Sequence, residues 1–131
     1  MDNFKEISKI KDFKLYSLQK INGVDQIKNK ENKFNLNIID DLDRDAPFVD
    51  TAELISNLDL IITSDTSIAH LSGALGKKTF LVIQKYAEWR WFENRSDSPW
   101  YTNMKIFRQE IDGDWDLVFS AMKDDLIKLF K

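Results

Sequence analysis

The sequence has no cysteine, one histidine, two prolines and four glycines in 131 residues. Without cysteine there are no disulfides and no thiolate metal sites, and a reducing compartment suits the chain. One histidine and no thiolate leave no ordinary zinc ligand set. Positive charge is not in excess. Lysine and arginine total 19 against 22 acidic residues, a net charge of −3, which argues against a nucleic-acid-binding surface. No apolar run approaches the roughly 20 residues of a membrane span. The N-terminal "MDNFKEISKIKDF" alternates charged and apolar residues and lacks a signal-peptide core. The expectation is a cytoplasmic protein with no nucleic-acid partner, no membrane span, no bound metal and no other cofactor.

What is present is an ordinary globular composition, 43% apolar and 31% charged, at a length suited to one domain. Phe4, Ile7 and Ile10 have helical spacing, so residues 3 to 11 read as a short amphipathic helix. "FKLYSLQ" (13 to 19) reads as a strand, "NGVDQIKNKENK" as a turn plus a weak helix, and "NLNIID" (35 to 40) as a second strand. The acidic run "DDLDRDAPFVD" (40 to 50) reads as a solvated loop. Asp50 and Glu53 have capping-box spacing at the head of "DTAELISNL". "DLIIT" (59 to 63) and "TFLVI" (79 to 83) are apolar on both faces, as strands of a covered parallel sheet are. Between them lies a helical segment with Gly76 in the C′ position. "MKIF" (104 to 107) reads as a last strand. Trp115, Val118, Phe119, Met122, Leu126 and Leu129 give one face of a closing helix. The alternation predicts an α/β fold: a Rossmann-like, mostly parallel sheet of about five strands flanked by helices.

Ligands in such sheets bind beyond the carboxyl ends of the strands, where "TSDTSIAH" (63 to 70) lies. A helix start offers unpaired N–H groups and the positive end of the dipole, both attractive to phosphate. With Asp65 as N-cap, Thr66 and His70 share a face near that end, and Thr66, Ser67 and His70 could donate to phosphate oxygens. Gly73, one turn on, permits close approach. The plainer alternatives are Asp65 as a simple cap, His70 as a structural residue, and Gly73 and Gly76 serving packing and capping. No "GxGxxG" or Walker loop is present.

"QKYAEWRWFENRSDSPWY" (84 to 101) would be a long loop holding three of the four tryptophans. Trp89, Trp91, Phe92, Trp100 and Tyr101 could wall a base or sugar ring, with Arg90 or Arg95 facing phosphate. The alternative is a satellite cluster that pins the loop to the sheet.

"DTAELISNLDLIITSDTSIAHLSGALGKKTFLVI" followed by "EWRWFENRSDSPWYTNMKIFRQEIDGDWDLV", with "SLQK" upstream, resembles the C-terminal half of bacterial GT-B glycosyltransferases. The resemblance is to the group often fused to tetratricopeptide repeats and related to the ADP-heptose:lipopolysaccharide heptosyltransferases. It implies a donor lobe holding a nucleoside diphosphate sugar, with Thr66, Ser67 and His70 at the diphosphate. Ser72 is a further diphosphate candidate because the "HLS" positions are similar to those of O-linked N-acetylglucosamine transferases. Asp65 and Gly73 would order the junction, and Gln19, Trp89, Arg90 and Trp91 would border the base or sugar.

Such enzymes also have an N-terminal acceptor lobe and a first strand ahead of the opening helix; neither is read in these 131 residues. It reads as a single-domain fragment, expected to bind nucleotide weakly and to transfer nothing alone, with the catalytic base unknown. Loss of that strand would expose a sheet edge and favour homo-oligomers. The competing reading is a degenerate, non-catalytic lobe serving interaction or nucleotide sensing.

Overall fold

The computed structural model describes residues 3–20, 24–28 and 36–130. Its elements are α1 (Phe4–Ile7), β1 (Leu15–Ser17), α2 (Val24–Lys28), β2 (Leu36–Ile38), α3 (Val49–Asn57) and β3 (Ile61–Thr63). They continue with α4 (Ser67–Ala74), β4 (Thr79–Ile83), a 3₁₀ turn (Trp89–Trp91), β5 (Met104–Arg108) and α5 (Asp116–Leu129). The expected turn at 22–23 and the lysine-rich 29–33 lie outside the described residues.

The fold is α/β, and among the described residues every pairing between two strands is parallel. The five strands do not form one sheet: β1 pairs with β2, and a separate sheet has the order β3-β4-β5. Hydrophobic periodicity marks a strand but carries no information about its partner. The outer side of β5 is partly covered, since Ile106 N–H donates to Ser96 C=O (2.8 Å) and Asp97 bridges to Lys105. Among the described residues, β3 has no strand on its other side.

Strand β4 explains the layering. All five of its residues are buried, as expected of a central parallel strand covered on both faces. Phe80 and Val82 point to a core shared with Ile7, Phe107, Val118, Met122 and Leu126. Leu81 and Ile83 point to the opposite core, with Ala69, Trp91, Met104 and Ile106. Helix α5 covers the first face with Val118, Met122 and Leu126, each contributing about 1.5–3 kcal/mol relative to exposure. Leu129, expected on that face, is 37% exposed in the last turn.

Helix α4 covers the second face and ends as expected. Gly76 has φ +67°, its N–H donates to Gly73 C=O, and Lys77 N–H donates to Ser72 C=O. This is the Schellman closure, which needs a left-handed residue at C′. The ammonium of Lys77 serves the neighbouring helix instead, donating to Ser56 C=O (2.9 Å) and Leu58 C=O (2.7 Å) at the end of α3.

The start of α3 differs from the capping-box expectation. Phe48 is the N-cap, in the left-handed region at φ +64°, and Asp50 lies inside the helix. The cap comes from eight residues upstream: Asp43 accepts from Thr51 N–H (2.9 Å) and Thr51 Oγ1 (2.6 Å). Asp50 returns the interaction by accepting from Asp43 N–H (2.7 Å). Asp43 is therefore no solvated loop residue; its side chain is only 4% exposed, with Lys20 at 3.5 Å. Burial pushes its carboxyl pKa up, but the Thr51 hydroxyl and amide and Lys20 together hold it below the ordinary aspartate value.

Candidate functional site

The carboxyl ends of β3 and β4 open onto a cleft of about 340 Å³, lined by Ser64 and Asp65 after β3, Gln84, Ala87 and Glu88 after β4, and Trp115 before α5. Its floor is the ends of Val82 and Ile83. This is where parallel α/β sheets bind ligands, because loops diverge there while the strands hold their bases rigidly.

Helix α4 begins at this edge. Thr66, not Asp65, is the N-cap, with extended backbone (φ −142°, ψ 174°). Asp65 sits one residue earlier, exposed and facing the cleft. Among the described residues, no side chain caps the helix. The Thr66 hydroxyl lies 3.2 Å from that of Thr63, which donates to Ser64 C=O (3.0 Å), so Thr66 is the donor of that pair. Only Ala69 closes a first-turn bond, to Thr66 C=O (3.0 Å). Thr66 and Ser67 are exposed, and the N–H groups of Ser67 and Ile68 stand uncapped beside them.

His70 is half-buried and held on two sides. Its Nδ1 lies 3.0 Å from the Tyr101 hydroxyl. Its ring stacks on Trp91 at 5.3 Å and 24°. Gly73 makes the Tyr101 position possible: a Cβ there would lie 2.4 Å from the ring. Gly73 thus serves a close packing contact within the protein. Ser72 does not join Thr66 and Ser67. It is fully buried, donates to Ala69 C=O (3.1 Å) and accepts from Thr79 Oγ1 (3.0 Å), sealing α4 against β4. Gln19 lies exposed after β1, in the other sheet, its N–H bonded to Ser17 Oγ.

The aromatic loop divides in two. Trp91 is fully buried and supports His70 from below, so its ring is core and no wall for a ligand. Tyr101 belongs with it. Trp89, Phe92 and Trp100 are exposed. Neither arginine is free to face phosphate alone. Arg95 forms a two-pronged bond with Asp97 (2.8 Å each), which raises its pKa, and Arg90 Nε lies 3.1 Å from Glu88. That Arg90–Glu88 contact is a close ion pair without hydrogen-bond alignment.

Arg108, unremarked in the sequence beyond lying after "KIF", holds this loop. Its guanidinium donates to the carbonyls of Trp91 (3.0 Å), Phe92 and Lys85 (3.4 Å). Burial lowers its pKa, with Glu93 opposing. An arginine at the end of the strand that follows an aromatic-rich loop was the available signal, but the carbonyls it would meet are invisible in sequence.

Among the described residues, no group of three or more His, Asp or Glu side chains is arranged to hold a metal, and no helix is long and apolar enough to cross a membrane. Compared with family models, curated proteins and solved structures, the chain matches none.

Proposed function

We propose that this domain is the donor-binding lobe of a GT-B-type glycosyltransferase, which holds a nucleoside diphosphate sugar while a second lobe brings the acceptor hydroxyl. The observation that carries the reading is the uncapped start of α4 opening at the carboxyl edge of β3 and β4, beside an accessible cleft. Free amides and the helix dipole suit a diphosphate, and the leaving diphosphate's growing charge in transfer is what they would stabilise. Thr66 and Ser67 contribute exposed hydroxyls to the same corner. His70, fixed through Nδ1, keeps Nε2 as its second ring nitrogen for a ligand oxygen. The cleft's acidic side chains, Asp65 and Glu88, suit sugar or ribose hydroxyls rather than phosphate, so the two halves of a nucleotide-sugar have separate neighbours. Among the described residues β3 has no strand on its other side, and that edge is where the remainder of such an enzyme, or a second copy, would pair.

One observation favours the non-catalytic alternative, an interaction or sensing lobe: among the described residues, the cleft lining includes two carboxylates and no cation. The readings separate in a backbone-amide NMR titration with ADP, GDP and UDP. The donor lobe shifts the Ser67 and Ile68 amides with at least one nucleotide and shows no sugar transfer by itself. Absence of shifts with all three supports the interaction module.

A further inference from the structure

The two sheets share one core. Leu15 of β1 packs against the buried cluster around Phe80 and Met122, and so do Leu60 and Ile62 at β3. Of its pair, β1 is the strand nearer that core, since Ile38 on β2 stays 54% exposed. The directions agree too. Asp43, which follows β2, caps the start of α3 and lies 3.5 Å from Lys20, which follows β1. Helix α3 therefore starts at the carboxyl ends of both strands. The chain runs back through α3 to enter β3 from the opposite end, the crossover that sets a strand parallel to its predecessor. Across the domain the strands thus read β2-β1, a break, then β3-β4-β5. The doubly wound order 3-2-1-4-5-6 gives this arrangement when its central strand is taken out.

The break itself specifies an occupant. Among the described residues, neither β1 nor β3 has a strand on its second side. The core on this face is also incompletely closed, with Ile10, Phe13, Leu15, Leu60 and Ile62 partly exposed. A strand edge presents unpaired N–H and C=O groups, and two facing edges are satisfied together by one extended chain between them. A strand in that position, covered on both faces, is apolar throughout. This sequence has no such stretch to spare. Met1, Asp2 and Asn3 precede α1, residues 29–35 read "NKENKFN", and the apolar runs of the sequence already form β1 to β5 and the helices. Two copies joined through β3 would still leave β1 unpaired.

We propose that the space between β1 and β3 receives a single extended, apolar segment of another polypeptide, parallel to both strands, by β-augmentation. The slot stands on the strand edges and is independent of the transferase reading.

The test titrates a synthetic peptide, with a valine-isoleucine centre of about five residues and a lysine at each end, into the isotope-labelled full chain. Amide resonances and hydrogen exchange are followed by NMR. Amides in Leu15–Ser17 and in Ile61–Thr63 are expected to shift together, with exchange slowed about tenfold or more. The same peptide with proline at its centre is expected to lose the effect, because proline cannot donate to a ladder. No response to the first peptide overturns the slot, as does a response in β3 alone or an equal response to the proline peptide. Protection of β3 that grows with protein concentration in the absence of peptide also overturns it, by marking pairing between copies. Nucleotide-induced shifts at Ser67 and Ile68 report on the donor reading separately, so either idea can fail without the other.

Discussion

The Tyr101 hydroxyl sits 3.0 Å from Nδ1 of His70 because residue 73 has no side chain. The only histidine of the chain is therefore oriented by a residue 31 positions away, from the far end of the aromatic loop. That contact ties helix α4, which starts at the cleft, to the loop that borders it.

Gly73→Ala is expected to break this tie. Alanine gains about 1 kcal/mol in helix propensity, but its Cβ would strike the Tyr101 ring at 2.4–2.8 Å. Overpacking costs about 1–3 kcal/mol, so a net loss of up to about 2 kcal/mol is expected in urea denaturation. Equal or greater stability than wild type would contradict the packing.

Tyr101→Phe keeps the ring against Gly73 and removes the bond to His70. The expected loss is about 0.5–1.5 kcal/mol, accompanied by a changed His70 ring environment in NMR. An unaltered histidine spectrum would show that the hydroxyl does not hold the ring.

Ser72→Ala separates structure from binding. The serine is buried, with its hydroxyl used on both sides, whereas Thr79 keeps a second acceptor in Lys77 C=O (2.9 Å). About 1 kcal/mol of stability should be lost with nucleotide affinity unchanged. A fall in affinity with stability unchanged would return Ser72 to the diphosphate.

Asp43 sets a pH dependence. Its folded pKa is lowered, so its contribution is complete above the ordinary value of about 3.9 and is lost as pH falls through the lower folded value. Asp43→Ala should cost about 1–2 kcal/mol at neutral pH, by loss of the α3 cap. The difference from wild type should shrink below about pH 4 in denaturation curves collected across pH. A gap that persists undiminished in acid would contradict the ionised cap.

These residues also show how far the sequence could be read. The strand at 79–83 and the left-handed Gly76 were legible because both rest on local chemistry, apolar character on two faces and a missing Cβ. The long helix was legible from Val118, Met122 and Leu126, which recur every four residues and are all buried. Asp43 was not legible: it is itself left-handed, and its partner Thr51 is eight residues off, across a loop that contains a further left-handed residue, Phe48. The cap at α4 was misplaced by one residue because Asp and Thr both serve at N-caps, and only the extended backbone of Thr66 decides between them. Trp89 and Trp91 look alike in the sequence yet end at 69% and 0% exposure, a choice made by packing against Ala69 and His70.

The central claim, that the backbone of α4 receives a diphosphate, is most directly tested by removing one amide. Ser67 is the first helical residue, where proline is tolerated because that N–H has no helical partner. Thr66 before it is already extended, as a residue preceding proline must be. Calorimetric titration of ADP, GDP and UDP into wild type and Ser67→Pro should give binding of at least one nucleotide, weakened about tenfold or more in the variant at equal thermal stability. Equal affinity in both proteins, or no binding of any of the three to wild type, would contradict the claim.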